Sequence, residues 1–181
     1  MRSEAAPAQV AEQPEKPTVH EVFRREAAFV MRVVRRMGVP ESEVEDLTQE
    51  VFVVLHRRIA DYDAAHAMRS WLFGIVRRVV ADYRRLARVR HEGRSEAVVT
   101  LTTPPDQTAA LERRDARRIL DAALDTMPDE QREVFVLYEL EGMPMREVAD
   151  AVGCPLQTGY SRLHAARDAL TRHVQRHARR R

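Results

Sequence analysis

Between residues 18 and 173 the large apolar side chains recur at intervals of three and four, and almost nowhere in alternation. That period belongs to helices buried along one face; a half-buried strand alternates with a period of two. Phe23, Ala27, Val30 and Val34 make one such stripe, opened by the capping-box pattern of Thr18 and Glu21 and stopped by Gly38 and Pro40. Val44, Leu47, Val51, Val54 and Leu55 make a second, behind another capping-box pattern at Ser42 and Glu45. A third starts near Met68 and runs through Trp71, Leu72, Ile75, Val76, Val79, Val80 and Tyr83. Residues 116–126, 129–140, 145–152 and roughly 156–173 read as four more helices. Residues 98–103 alone look strand-like, and one short strand without a partner makes no sheet. The expectation is an all-α protein with two small helical domains.

Charge divides the chain. Lys+Arg total 30 against 28 Asp+Glu, a formal net charge of +2, so the whole is no polycation. The segments differ sharply, however. Residues 74–94 hold Arg77, Arg78, Arg84, Arg85, Arg88, Arg90 and Arg94 against Asp82 and Glu92, whereas residues 116–170 are net acidic. Residues 171–181 carry Arg172, Arg176, Arg179, Arg180 and Arg181 with no acid. Residues 1–17, rich in Pro, Ala, Glu and Gln, read as a disordered tail. Residues 92–115, with Pro104, Pro105 and several Thr, read as a flexible linker.

Several function classes find no support. The single cysteine, Cys154, allows no disulfide framework within the chain, and no Cys/His cluster has zinc spacing. There is no Gly-rich phosphate loop, nucleophile elbow or metal motif. The carboxylates lie among arginines on amphipathic helices, the ordinary look of a solvated face. The expectation is no catalytic residue, no cofactor and no metal. With no long apolar run for a signal peptide or membrane span, a cytoplasmic protein without membrane insertion is expected.

Residues 145–170 read as helix, sharp turn, helix. Val148, Ala149 and Val152 give the first helix its buried side, and Gly153 can take the left-handed conformation that turns the chain. Leu163, Ala166 and Leu170 give the second its apolar stripe, leaving Thr158, Tyr160, Ser161, Arg162, His164, Ala165 and Arg167 largely on the remaining surface. In a helix-turn-helix such a second helix enters the major groove.

With these residues on the page the chain resembles an extracytoplasmic-function (ECF) sigma factor, the minimal two-domain type of the sigma-70 family. The resemblance rests on "VEDLTQEVFVVLHRRIADYD" (residues 44–63), "RSWLFGIVRRVVADYRR" (69–85) and "LDTMPDEQREVFVLYELEGMPMREVADAVGCPLQTGYSRLHAARDAL" (124–170). It implies a region 2 helical bundle over residues 18–91, the linker over 92–115, a region 4 helix-turn-helix over 116–175 and a basic tail over 176–181. It also implies partners: core RNA polymerase, through the β′ clamp and the β flap, promoter DNA, and a cognate anti-sigma factor as a further candidate.

By match to "DLTQEVF", the polymerase-facing positions would be Asp46, Gln49, Glu50 and Phe52. The resemblance gives the third helix the −10 promoter element, with Arg77, Arg78, Arg84 and Arg85 on the backbone of opened DNA. Residues 62–70 would supply a loop for an everted base. Trp71, by its period with Ile75, reads as core. For the −35 element the candidates are Thr158, Tyr160, Ser161, Arg162 and Arg167. Arg162 is the expected base reader, unless it pairs with an acid such as Glu147. Pro155 reads as the first residue of that helix, which keeps Gly159 in its first turn. The competing reading is a stand-alone helix-turn-helix regulator whose first half is a dimerisation or sensing module. The polymerase motif and the Arg-rich third helix are what such a regulator would not need.

Overall fold

Thr18 opens the first helix by reciprocal capping: its hydroxyl accepts the Glu21 N–H at 3.3 Å and its own N–H donates to Glu21 Oε2 at 2.9 Å. The computed structural model describes residues 16–91 and 108–179. Its helices are α1 (Val19–Arg36), α2 (Glu41–Arg58) and α3 (Met68–His91), then α4 (Thr108–Asp125), α5 (Asp129–Phe135), α6 (Met145–Val152) and α7 (Leu156–Ala178). A 3₁₀ turn, Ile59–Asp61, follows α2, and a π-helical turn, Val136–Leu140, follows α5. No strand occurs among the described residues. Most of the expected N-terminal tail, the expected strand-like run and most of the expected linker lie outside the described residues.

Four local readings are corrected. The capping box at Ser42 does not form. Pro40, at φ −55°, is the N-cap, so α2 starts at Glu41 and Ser42 is already inside its first turn. The entry is tied instead by Glu41, which accepts from Arg35 at 2.6 Å. α4 begins at Thr108, inside the stretch read as linker, because residues 109–114 are Ala, Ala, Leu, Glu, Arg and Arg, all strong helix formers. α7 runs past 173 to Ala178, so the basic tail begins on a helix. The helix read over 129–140 changes pitch after Phe135, with Glu141 N–H reaching back to Val136 O at 3.0 Å.

The first stripe is also rotated from its expected course. Val22, Phe29, Val30, Val33 and Val34 face inward, whereas Phe23 is 48% exposed. On α2 the inward set is Val44, Leu47, Thr48, Val51, Phe52 and Leu55. Both helical units are present, and they share one continuous core, α3 lying against α6 and α1 against the π-helical turn.

The helix-turn-helix closes as its glycines require. Gly153, at φ +69°, caps α6, and Cys154 N–H returns to Ala149 O at 3.0 Å. Pro155 is the N-cap of α7, one position before the expected one. Gly159 faces α6: a Cβ there would lie 2.9 Å from Met145 Sδ and 3.9 Å from Ala149 Cβ. Its missing side chain leaves the room that the Met145 thioether of α6 occupies. Gly74, in α3, has open space where its Cβ would be. Urea denaturation should therefore separate the two: Gly159→Val costs about 1–3 kcal/mol by overpacking, and Gly74→Ala gains about 0.5–1 kcal/mol of helix propensity. A tolerated Gly159→Val would mean that the Met145 side chain swings aside and α6 and α7 keep their distance.

Candidate nucleic-acid interface

α3 presents its arginines on two neighbouring faces, because residues seven apart share a face of a helix. Arg78 and Arg85 are exposed, and Arg85 reaches only its own helix, at Asp82 Oδ1, 3.2 Å away. Arg77 and Arg84 turn toward the second half. Arg77 Nε stands 3.0 Å from Glu133 Oε1 and its Nη1 donates to Val152 O at 3.5 Å. Arg84 Nη1 donates to both oxygens of Asp129 at 2.9 Å, and its Nη2 to Met37 O. The structure thus splits the four −10 candidates into a pair without a partner in the second half and a pair that has one, although Arg77 stays half exposed beside its acid.

Glu133 is the centre of that junction. Its side chain is 4% exposed, and its Oε2 has no hydrogen-bond partner. Burial pushes its carboxyl above the usual carboxylate range. Arg77 opposes that shift, Asp129 adds to it, and Arg162 opposes it in turn. The same carboxylate therefore feels one −10 candidate and one −35 candidate. Two further pairs flank it: Arg32 Nη2 with Glu141 Oε2 at 2.6 Å, and Arg36 with Asp121. Ser70 Oγ donates to Glu147 O at 3.0 Å across the same junction.

On α2, Asp46, Gln49 and Glu50 are exposed, next to the buried Leu47 and Val51. Phe52 is not on that face. It is 7% exposed, its ring edge-on to Phe23 at 4.8 Å between centroids. It lies four residues after the buried Thr48, so the inward stripe of α2 carries it in. In the loop before α3, the Tyr62 hydroxyl donates to His66 O at 2.7 Å and its ring meets Trp71 at 5.3 Å. Trp71 packs partly buried against the core, as its spacing implies.

On α7, Gly159, Leu163 and Ala166 point inward. Gln157, Tyr160, Ser161 and His164 point outward, while Thr158 and Arg162 sit half-buried on the flank. Arg167 is held within the helix-turn-helix by Glu139, 2.7 Å from its Nε. Arg162 makes no ion pair with Glu147. Gln157 and His164 are the outward residues that the sequence reading left out of the site. The signal for them was available, since they stand opposite the 159, 163, 166 stripe on a helical wheel.

Residues 22–90 match the family "Sigma-70 region 2" and residues 117–170 the family "Sigma-70, region 4". The ECF RNA polymerase sigma factor EcfG of Rhodopseudomonas palustris is 33% identical, over 72% of this chain and 70% of that protein. The chain belongs to the sigma-70 family. It is a sigma factor of the ECF type. Another relative, the ECF RNA polymerase sigma factor SigE of Mycolicibacterium smegmatis, is 32% identical over 90% of this chain, which spans 63% of that protein's length. Among solved structures, CnrH in complex with the cytosolic domain of CnrY superposes with a TM-score of 0.64 at 25% identity, covering 87% of each chain. The region 2 match accounts for the first half, which a stand-alone regulator would not need.

Within this sigma factor Arg132 is a structural anchor. It is 5% exposed, donates from Nε to Leu124 O at 2.7 Å and again from Nη2, and pairs with Asp125 at 3.1 Å. It closes the carbonyl end of α4 on α5 and packs under Gly38 of the first half. Arg132→Ala should cost about 2–3 kcal/mol in chemical denaturation, because it leaves a carbonyl without its charged donor. Arg132→Lys should recover little, since an ammonium cannot reproduce the fork. Full recovery by Lys would reduce the contact to charge alone.

Proposed function

We propose that this sigma factor binds core RNA polymerase through the acidic face of α2 and directs initiation at promoters carrying its own −10 and −35 elements. Asp46, Gln49 and Glu50 meet the β′ clamp, with Phe52 supporting that face from inside through Phe23. Arg77, Arg78, Arg84 and Arg85 hold the backbone of the opened −10 strand. The outward face of α7, Gln157, Tyr160, Ser161 and His164, together with Thr158 and Arg162, reads the −35 element. Arg167 braces the helix through Glu139. The second half also meets the β flap.

The observation that carries this reading is the pairing in one chain of an Arg-rich α3 with a helix-turn-helix whose outward face is polar. The factor itself performs no catalysis and works in the cytoplasm. No helix among the described residues is long and apolar enough to cross a membrane. A regulatory protein of the anti-sigma kind is a further partner. The solved complex of CnrH with the cytosolic domain of CnrY supports a protein partner for this fold by analogy.

Mapping of transcript starts after overexpression tests the reading as a whole, because a shared −10 and −35 pattern should precede the new starts. Two variants test its parts. Asp46→Lys with Glu50→Lys should lower affinity for core polymerase at least tenfold, about 1.4 kcal/mol, with unchanged far-UV circular dichroism. Intact affinity would remove these residues from the contact. For the full chain with core polymerase, Arg162→Ala should lose about 1–3 kcal/mol of discrimination at one or two −35 positions. A uniform loss at every position would make Arg162 a phosphate contact.

A further inference from the structure

Leu156 and Tyr160 stand one turn apart at the start of α7, and about half of each is open to solvent, 48% and 47%. Neither belongs to the shared apolar core. Single exposed apolar residues need no explanation, but two adjoining ones do, at the end that a helix-turn-helix turns to base edges. The cations nearby are committed or turned away. Arg167, which follows on the same flank, is held by Glu139 at 2.7 Å. Arg162 lies half-buried on the other flank, within the field of Glu133. Between the flanks, Ser161 donates its hydroxyl hydrogen to Gln157 O at 3.0 Å, and His164 faces Asp168 at 3.7 Å. The flank of Leu156 and Tyr160 therefore has no free guanidinium with which to grip guanine O6 and N7.

We propose that Leu156 and Tyr160 read thymine in the −35 element, closing on its 5-methyl group by apolar contact in the major groove, a reading that rests on the −35 role of α7. The base edges in that groove present hydrogen-bond donors and acceptors, and one apolar group, the thymine methyl, which cytosine, adenine and guanine lack. The leucine side chain has nothing to offer the polar edges. Leucine and the carbon face of the tyrosine both gain when the methyl removes water from them. The backbone behind the pair is fixed. Pro155 starts the helix at φ −58°, and Gly159, between the two, faces Met145 and Ala149 of α6. The pair therefore has a defined place at the leading end of the helix. Arg162, two residues beyond Tyr160 and on the other flank, meets a different base step.

The test uses the full chain with core polymerase, on a duplex carrying the −35 element found by transcript mapping. Each thymine of the element, on either strand, is replaced in turn by deoxyuridine, which removes the methyl and leaves the base pair intact. Affinity should fall about fourfold, the worth of one buried carbon, at one or two thymines, and should not change for deoxyuridine placed outside the element. No loss at any thymine overturns the proposal, as does an element without thymine on either strand. Because this scan needs no altered protein, no folding defect can obscure it. A scrambled element keeps the two readings apart. If the parent chain binds it as well as the native element, the −35 role of α7 falls and the methyl contact with it. If the scrambled element is bound poorly while deoxyuridine costs nothing, the methyl contact alone falls.

Variants assign the contact to its residues. Leu156→Ala with Tyr160→Ala should bind the native element about fourfold or more weakly and be indifferent to deoxyuridine at the sensitive positions. Its salt dependence should match the parent's, because no phosphate contact is lost. Tyr160→Phe should keep the deoxyuridine effect, since ring carbon and not the hydroxyl makes the contact. A deoxyuridine penalty that survives in the double alanine variant gives the methyl to other residues and overturns the proposal. A loss of affinity with a shallower salt dependence makes Tyr160 a phosphate contact and overturns it as well.

Discussion

Glu133 is a carboxylate placed where water hardly reaches, and the register of the two halves on their shared apolar core turns on it. A buried charge costs several kcal/mol unless it is paired and hydrogen-bonded. Here one oxygen has Arg77 at 3.0 Å and the other has no partner, and the carboxyl is shifted upward by its burial. The pair is thus a poor source of net stability and a good source of register. With α3 slid along α6, Arg77 would leave Glu133 uncompensated, whereas apolar contacts would tolerate the slip. Around this point the flanking pairs, Arg32 with Glu141 and Arg84 with Asp129, fix the angle between the halves.

The helices and their inward faces were legible because they depend on neighbours three and four residues away. The reciprocal cap of Thr18 and Glu21, the left-handed Gly153 and the 163, 166 stripe all belong to that class. Where reading failed, a nearby residue had a second effect that the pattern did not contain. Pro40 moved the start of α2 ahead of the Ser42 box, to Glu41. Thr48, polar by type, is buried and bonded to Val44 O at 2.7 Å, so the inward stripe widened to take in Phe52. The partners of Arg77 and Arg84 were illegible for a different reason: Arg84 and Asp129 are 45 residues apart in sequence. Opposite charge in two distant segments was visible. Which arginine meets which acid is decided by the packing of α3 on α6.

The π-helical turn has a similar lesson. Val136–Leu140 reads by composition as a continuation of α5, and the sequence contains no proline or glycine within it. The wider pitch ends the helix at Glu141 and leaves Glu139 beside Arg167. Glu139, the one acid within the turn, pairs with Arg167 of α7, and Glu141, which follows it, pairs with Arg32 of α1. A regular α-helix would turn these two side chains, and with them the braces of the recognition helix and of the junction, to other directions. Irregular pitch at a functional position is a common use of such turns.

The segregation of charge has a consequence for how far the molecule can be felt. Its net charge of +2 is the sum of +3 over residues 1–91 and −1 over residues 92–181, and within the second part an acidic stretch over 116–170 is offset by the arginines of the last eleven residues. Folded together, they cancel over the roughly 8 Å within which salt lets charges act. A near-neutral body is not drawn to the polyanion that fills a bacterial cell, so it is not held on the vast excess of chromosomal sites that carry no promoter. Pairing of the α1 and α3 arginines with acids of the second half therefore leaves the folded chain with little long-range field of its own.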